Sequence, residues 1–300
     1  MKNHANPAGF GRAITPELIA QEVARNVRAS LEEDLGRAEG ERDWTAELLP
    51  AEQHAKARVI SREEAVICGQ PWFDVCFRAL DSDARIEWQI AEGGQVEAGA
   101  TLCFIEAKTR ALLTAERSAL NFLQLLSAVA TRTREHAQRI AHTAAKVCDT
   151  RKTVPGLRLA QKYAVAVGGG VNHRLGLYDG ILIKENHIAA AGGVGAALHA
   201  AREFAPAGVG IEIEVETLEQ LREALAAGAR LILLDNFSLE RLREAVAINR
   251  GMAAPAVLEA SGGISLGNIA AVAETGVDRI SIGSLTKDLR AVDLSLRLVA

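Results

Sequence analysis

The sequence predicts an α/β fold: an N-terminal α+β domain with an open antiparallel sheet over residues 1–115, then repeated βα units over residues 116–300. Three observations carry this. Six short β-rich runs (KVCD, ILIK, IEIEV, LILLD, AVLEA and RISIG) alternate with amphipathic segments in the later part of the chain. The polar or glycine markers at or just after those runs are Lys152, Lys184, Glu214, Asp235, Ser261 and Gly283. They recur about every 21 to 32 residues, the length of one strand plus one helix and its loops, which implies a parallel sheet. Before residue 115, by contrast, strand-like runs follow one another across turn chemistry such as EGGQVEAG at 92–99.

Taken in order, Thr15 and Pro16 form an N-cap and first-turn pair, and Leu18, Ile19, Val23, Val27 and Leu31 then recur at helical spacing. The runs ARVIS, AVICG, RIEWQI and TLCFIEA between residues 57 and 107 read as strands of a small antiparallel sheet with helices against it. The stretch from Glu116 to Ala141 is helical and leads into the βα units. Thr217 and Gln220 have capping-box spacing, and Gly228 and Gly276 stand where helices end. Most of the six runs are apolar until their last residue, as expected of parallel strands covered on both faces. Six such units make either an incomplete α/β barrel or an open doubly wound sheet. Both place the carboxyl ends of the strands along one face, where active sites form, and periodicity does not separate them.

Composition narrows the function. A hydrophobic content of 49% with 24% charged residues suits a well-cored protein. The start of the chain has no apolar core of about 7 to 15 residues, and no later stretch reaches the length of a membrane span, so a cytoplasmic protein without a membrane partner is expected. Cys68, Cys76, Cys103 and Cys148 are too scattered for a zinc site or a disulfide scaffold and read as reduced, buried thiols. The net charge of −4 argues against a nucleic-acid partner. Yet from Lys146 to Lys184 seven lysines and arginines face only Asp149 and Asp179, a local balance of 7 − 2 = +5, with His173 in addition. Positive charge gathered in one segment of an acidic chain suits a small polyanion.

The candidate site residues lie at those strand ends. Thr150, Arg151 and Lys152 follow the first run, and His173, Arg174 and Lys184 come next. Arginine forks match carboxylates and lysine is a compact charge beside phosphate, so a site with both suits a ligand with both. In IEIEVE, Glu212, Glu214 and Glu216 share one face, which is unusual for an interior strand unless that face meets water, metal or ligand. Glu214 and Asp235 could hold sugar hydroxyls, orient hydrated magnesium or balance charge. Two turns straight after strands, Ser261-Gly262-Gly263 and Ile282-Gly283-Ser284, offer backbone N–H groups to phosphate. The triplet at 168–170 lacks the GxGxxG spacing of a dinucleotide fingerprint, which excludes a Rossmann reading.

Together, ALLTAERSALNFLQ, DTRKTVPGLR, GGGVNHRLGLYDGILIKENHI, IEVE, LLDNF, EASGGI and ISIGSLT resemble the quinolinate phosphoribosyltransferase family, with LEEDLGRAEGERDWT extending the likeness toward the start. The resemblance implies an incomplete, six-stranded α/β barrel behind the N-terminal sheet, a last segment that returns to the first domain, and a homodimer. It implies transfer of phosphoribosyl from phosphoribosyl pyrophosphate to the ring nitrogen of quinolinate with loss of carbon dioxide, a step of NAD biosynthesis. Carried over by residue, Arg117 would enter the neighbouring subunit's site, and Arg151, His173, Arg174 and Lys184 would complete the carboxylate shell. Lys152 would stand between the substrates, Glu214 and Asp235 near the ribose and magnesium, and the two glycine turns at phosphate. Magnesium, held mainly through substrate, would be the cofactor, with no organic cofactor.

Overall fold

The computed structural model describes residues 10–299. The elements, in chain order, are α1 (Pro16–Leu35), β1 (His54–Ser61), β2 (Ala65–Val66), α2 (Gln70–Leu80), β3 (Arg85–Trp88), β4 (Gln95–Val96), β5 (Thr101–Lys108), α3 (Thr109–Arg139), β6 (Lys146–Cys148), α4 (Arg158–Val167), β7 (Gly180–Ile183), α5 (Glu185–Ala191), α6 (Val194–Phe204), β8 (Gly210–Val215), α7 (Leu218–Ala226), β9 (Leu231–Asp235), α8 (Leu239–Arg250), β10 (Val257–Ser261), α9 (Ile269–Ala273), β11 (Arg279–Ser281), α10 (Ser284–Lys287) and β12 (Leu294–Val299). They form two compact units: an antiparallel-sheet unit of residues 14–132, 154–168 and 288–299, and a parallel-sheet unit of residues 10–13, 133–153 and 169–287.

In the antiparallel-sheet unit four strands run in the order β12-β1-β5-β3. Along β5, Cys103, Ile105 and Ala107 point inward and Phe104 and Glu106 outward, the alternation of a sheet covered on one face. The chain's last strand closes the edge, pairing antiparallel with β1 from Lys56↔Val299 to Ser61↔Leu294. On the inner face α2 contributes Trp72, Phe73 and Phe77, and α4 contributes Ala160, Tyr163, Ala164 and Val165. Fully burying each large side chain of this kind stabilises the fold by about 1.5–3 kcal/mol. Thr15 caps α1 as expected, its Oγ1 accepting from Leu18 N at 3.3 Å.

Two expectations are corrected here. Of AVICG only Ala65 and Val66 form a strand, and they pair with β4 in a separate two-stranded ribbon. The reason is the turn at Gly69, which takes φ +112° and starts α2, with the carboxylate of Glu92, distant in sequence, accepting from Gly69 N and Gln70 N. The division at 115/116 also moves, because α3 is one helix of 31 residues that passes through that point without a break. The change of unit comes at 132/133 instead, and α4 joins the antiparallel-sheet core.

The parallel-sheet unit is the predicted series of βα units. All six runs are strands, in the order β6-β11-β10-β9-β8-β7, every pairing parallel. The sheet is open, with β6 and β7 at its edges. Its core is aliphatic, with Ile213, Val215, Ile232, Leu234, Leu258, Ala260 and Ile280 packed beneath Leu198, Leu221, Ala224, Leu242 and Val246 of the helices. At α7, Thr217 Oγ1 accepts from Gln220 N at 3.2 Å, but Gln220 reaches back to Glu216 N rather than to the cap itself. The four cysteines are free and buried.

Candidate active site

A cavity of about 320 Å³ opens within the parallel-sheet unit, lined by Thr150, Arg151, Lys152, His173, Arg174, Leu182, Lys184, Glu214, Leu233, Glu259, Ser261 and Ser281. The strand pleat explains this membership. Residues i and i+2 share a face, so each strand offers the cavity side one residue inside its run and one at its end: Leu182 then Lys184, Glu212 then Glu214, Leu233 then Asp235, Glu259 then Ser261, Arg279 then Ser281. The register steps across the sheet: Leu182 lies opposite Glu212, Glu214 lies opposite Leu233, and Leu233, Glu259 and Arg279 stand side by side.

Of the expected site residues, the structure brings together Thr150, Arg151, Lys152, His173, Arg174, Lys184, Glu214 and Ser261. Asp235 is half-buried at the end of β9, its Oδ2 accepting from Asn236 Nδ2 at 2.7 Å, and Leu233 takes the lining place two residues earlier. Gly262 and Gly263 follow Ser261 outward and are exposed. Ile282 is buried beside the lining residue Ser281, with Ser284 at the start of α10. Gly283 touches the site indirectly: a methyl group added there would lie 2.8 Å from Lys152 Cδ and 3.6 Å from Thr150 Oγ1. Arg117 is exposed on α3, in the antiparallel-sheet unit. Arg158 and Lys162, counted in the basic segment, belong to that unit too, on α4.

The cation groups are held by identifiable contacts. Lys152 N donates to Thr150 Oγ1 at 3.0 Å, and Lys152 O accepts from Thr286 Oγ1 at 2.7 Å, fixing the backbone on both sides. Asp149, fully buried, accepts from His173 N and Asn172 Nδ2, tying the 172–173 segment to the end of β6. Arg174 donates from Nη1 to Gly180 O at 2.8 Å. Lys184 Nζ meets Glu214 Oε2 at 3.0 Å. The Nε atoms of Arg151 and Arg174 are buried with no hydrogen-bond partner among the described residues. Burial first, and then the neighbouring Arg151 charge, lower the pKa of Arg174. Two uncompensated guanidinium donors in one cavity are costly until an anion meets them.

Beneath these cations lies a buried acidic floor. His173 Nε2 is 2.8 Å from Glu212 Oε2 and 3.9 Å from Glu259 Oε1, and both glutamates are about 1% exposed. Burial pushes each carboxyl up to about 7, against the pull of buried Arg279. Glu259 and the apolar Leu182 and Leu233 escaped the reading of strand ends, as did Ser281, the last residue of β11, whose place was given to Gly283. The signal that finds the first three is the period of two, one step back from each end. Four lysines and arginines line the cavity against Glu214 and Glu259, a balance of 4 − 2 = +2 before His173 is counted. The arrangement can bind a compact anion and set one carboxylate, Glu214, among its cations.

Two family models match the chain: the quinolinate phosphoribosyl transferase N-terminal domain over residues 43–127 and the C-terminal domain over residues 129–297. The chain is 44% identical over 278 residues to the nicotinate-nucleotide pyrophosphorylase [carboxylating] of Mycobacterium leprae, covering 91% of this chain and 95% of that protein. It is 41% identical over 266 residues to the probable enzyme of that name from Bacillus subtilis, covering 88% and 89%. The solved structure of the nicotinate-nucleotide pyrophosphorylase from Francisella tularensis superposes with a TM-score of 0.87 at 44% identity, covering 93% of this chain and 97% of that one.

Proposed function

Because the chain belongs to the quinolinate phosphoribosyltransferase family, we propose that it joins quinolinate to phosphoribosyl pyrophosphate and releases pyrophosphate, carbon dioxide and nicotinate mononucleotide. The observation that carries this is the cavity in which Arg151, Lys152, Arg174, Lys184 and His173 surround Glu214 at the carboxyl ends of parallel strands. Both substrates are polyanions, and fixed cations offset their repulsion while holding them in reacting geometry.

In the proposed reaction the ring nitrogen of quinolinate bonds to the anomeric carbon as the bond to pyrophosphate breaks. Positive charge develops on the ribose and then rests on the pyridinium. Glu214 supplies negative charge for that stage, and Asp235, on the neighbouring strand, extends it at the rim. Lys152, with its backbone pinned, stands between the departing pyrophosphate and the ring. The 2-carboxylate then leaves as carbon dioxide, its electron pair held by the adjacent cationic nitrogen until carbon takes a proton. The ring thus does what a separate cofactor does elsewhere, and no organic cofactor enters the proposal.

Magnesium fits the donor chemistry. Glu214 and Asp235 are hard oxygen donors suited to a hydrated ion whose main contacts are substrate phosphates, and the ion would neutralise phosphate charge. The turns at Ser261, Gly262, Gly263 and at Ile282, Gly283, Ser284 would receive phosphate. Arg117 is assigned to the quinolinate carboxylates of the neighbouring subunit in a homodimer. Its exposure and its place outside the unit that lines the cavity support that reading. Among the described residues no helix is long and apolar enough to cross a membrane.

The test is to mix protein, quinolinate, phosphoribosyl pyrophosphate and magnesium and measure nicotinate mononucleotide and carbon dioxide. Absence of both removes the proposal. Arg117→Ala should lose quinolinate binding, and an equimolar, reassociated mixture of Arg117→Ala with an inactive second-site variant should recover about a quarter of the activity, because about half the dimers are mixed and each of those has one intact site. No recovery would count against the shared site.

A further inference from the structure

The segment ahead of the first helix is folded against the cavity wall in a way the reaction itself does not call for. Phe10 is fully buried, and its ring meets the His173 imidazole edge-on with centroids 4.6 Å apart. It also fills the space beside Gly180, where an added methyl group would lie 3.0 Å from Phe10 Cε2. Gly11 follows with φ +85°, and a methyl group there would come 2.8 Å from Arg174 Cα, so this backbone lies directly on the Arg174 backbone. Arg12 N then donates to Asp179 Oδ2 at 2.8 Å, and the same carboxylate accepts from Leu175 N and Gly176 N, each at 2.8 Å. Three consecutive residues therefore contact His173, Arg174 and the clasp that closes the 174–179 loop.

We propose that Phe10, Gly11 and Asp179 are positioning residues that lock His173 and Arg174 in the orientation that receives the aromatic diacid. The proposal rests on the reading of the cavity as a quinolinate site. The imidazole is held by the near-perpendicular Phe10 ring and by Glu212 at Nε2. The guanidinium is fixed at one end by Gly180 O and at the other by a backbone that Gly11 leaves no room to move. Freeing either group lets the carboxylate-binding donors wander by a fraction of an ångström to an ångström, enough to weaken an oriented complex many-fold. Lys152, Ser261 and Ser281 are held by other elements, so the effect should fall on one substrate alone.

The experiment is steady-state kinetics with each substrate varied in turn, on Phe10→Ala, Phe10→Leu and Asp179→Asn. Phe10→Ala should raise KM for quinolinate about tenfold while KM for phosphoribosyl pyrophosphate stays within about twofold, and Phe10→Leu, which refills most of the volume, should return the first to within about threefold. Asp179→Asn, which weakens the clasp without opening a cavity, should show the same one-sided rise and carries the test should Phe10→Ala not fold. An unchanged quinolinate KM, or equal rises for both substrates, overturns the proposal. If the unsubstituted protein shows no quinolinate-dependent turnover, the functional reading fails, and the lock is judged by the His173 ring signals in nuclear magnetic resonance. Signals that move in Asp179→Asn, which keeps the Phe10 ring and its ring current in place, uphold the lock as a device for His173, and signals that stay in place overturn it.

Discussion

The antiparallel-sheet unit buries Trp72, Phe73, Phe77, Phe122 and Tyr163 in a continuous apolar core, whereas the buried core cluster of the parallel-sheet unit is aliphatic and lies beside Glu212, Glu259 and Arg279. In the first unit Trp72 Nε1 donates to Asn26 Oδ1 at 3.0 Å and Glu92 caps α2, and the buried side-chain atoms left without a hydrogen-bond partner among the described residues, such as Thr109 Oγ1 and Ser295 Oγ, are neutral hydroxyls. In the second, the Glu259 oxygens and the Arg151 and Arg174 Nε atoms, all on charge-bearing groups, have no hydrogen-bond partner among the described residues. The difference is one of charge: the second unit keeps unsatisfied arginine donors beside its cavity, and those are the groups that an anion can answer.

The sharpest way to break this contrast is Trp72→Ala. It should destabilise the protein by about 3–5 kcal/mol, seen in denaturant midpoints, while the folded fraction keeps its kcat/KM. A comparable loss of kcat/KM in folded protein would mean the aromatic core also sets the site. Lys152→Ala is the converse, with kcat falling about 10²–10³-fold and stability nearly unchanged; a change confined to KM would make Lys152 a binding group only. Gly283→Ala should sit between them. The added methyl group displaces Lys152 Cδ, and turnover should fall roughly tenfold with substrate KM values little altered, since only one of the cations moves.

The acidic floor sharpens the contrast by pH. In the unfolded chain Glu259 ionises near its ordinary value of 4.5, but in the folded protein burial keeps it protonated to about 7. Between those values the unfolded state binds fewer protons, so this group's contribution to stability falls as pH rises from 4.5 to 7 and is flat above. Glu259→Gln should lessen that decline by on the order of 1 kcal/mol, measured as urea midpoints at either end of the window. An unaltered slope would show the carboxylate already ionised at the acid end. The smallest effect belongs to the surface, where Arg222→Ala breaks an exposed pair with Glu244 and should cost no more than about 0.5 kcal/mol.

How much was legible follows from what each signal measures. All six parallel strands were readable because continuous apolar runs and βα spacing are local properties of the chain. Arg151, Lys152, Lys184 and Glu214 were readable because strand ends gather at one face whatever the detailed packing. AVICG misled because its β-branched and apolar residues suit a strand, while Gly69 and the distant Glu92 redirected the chain into α2. The division at 115/116 misled because a change of character in sequence does not mark where contacts divide, and a continuous helix can cross from one unit to the other.

By itself the sequence determined the six parallel strands, the family, and the concentration of cations and one carboxylate at the strand termini, because spacing, caps and residue chemistry act over a few neighbouring residues. Only the tertiary structure decided that Glu259 and Ser281 line the cavity, that Asp235 stands outside its lining, and that Phe10 and Gly11 press on His173 and Arg174. Those outcomes depend on strand register and on approach between residues more than a hundred positions apart, and close packing settles both only when the whole unit is assembled.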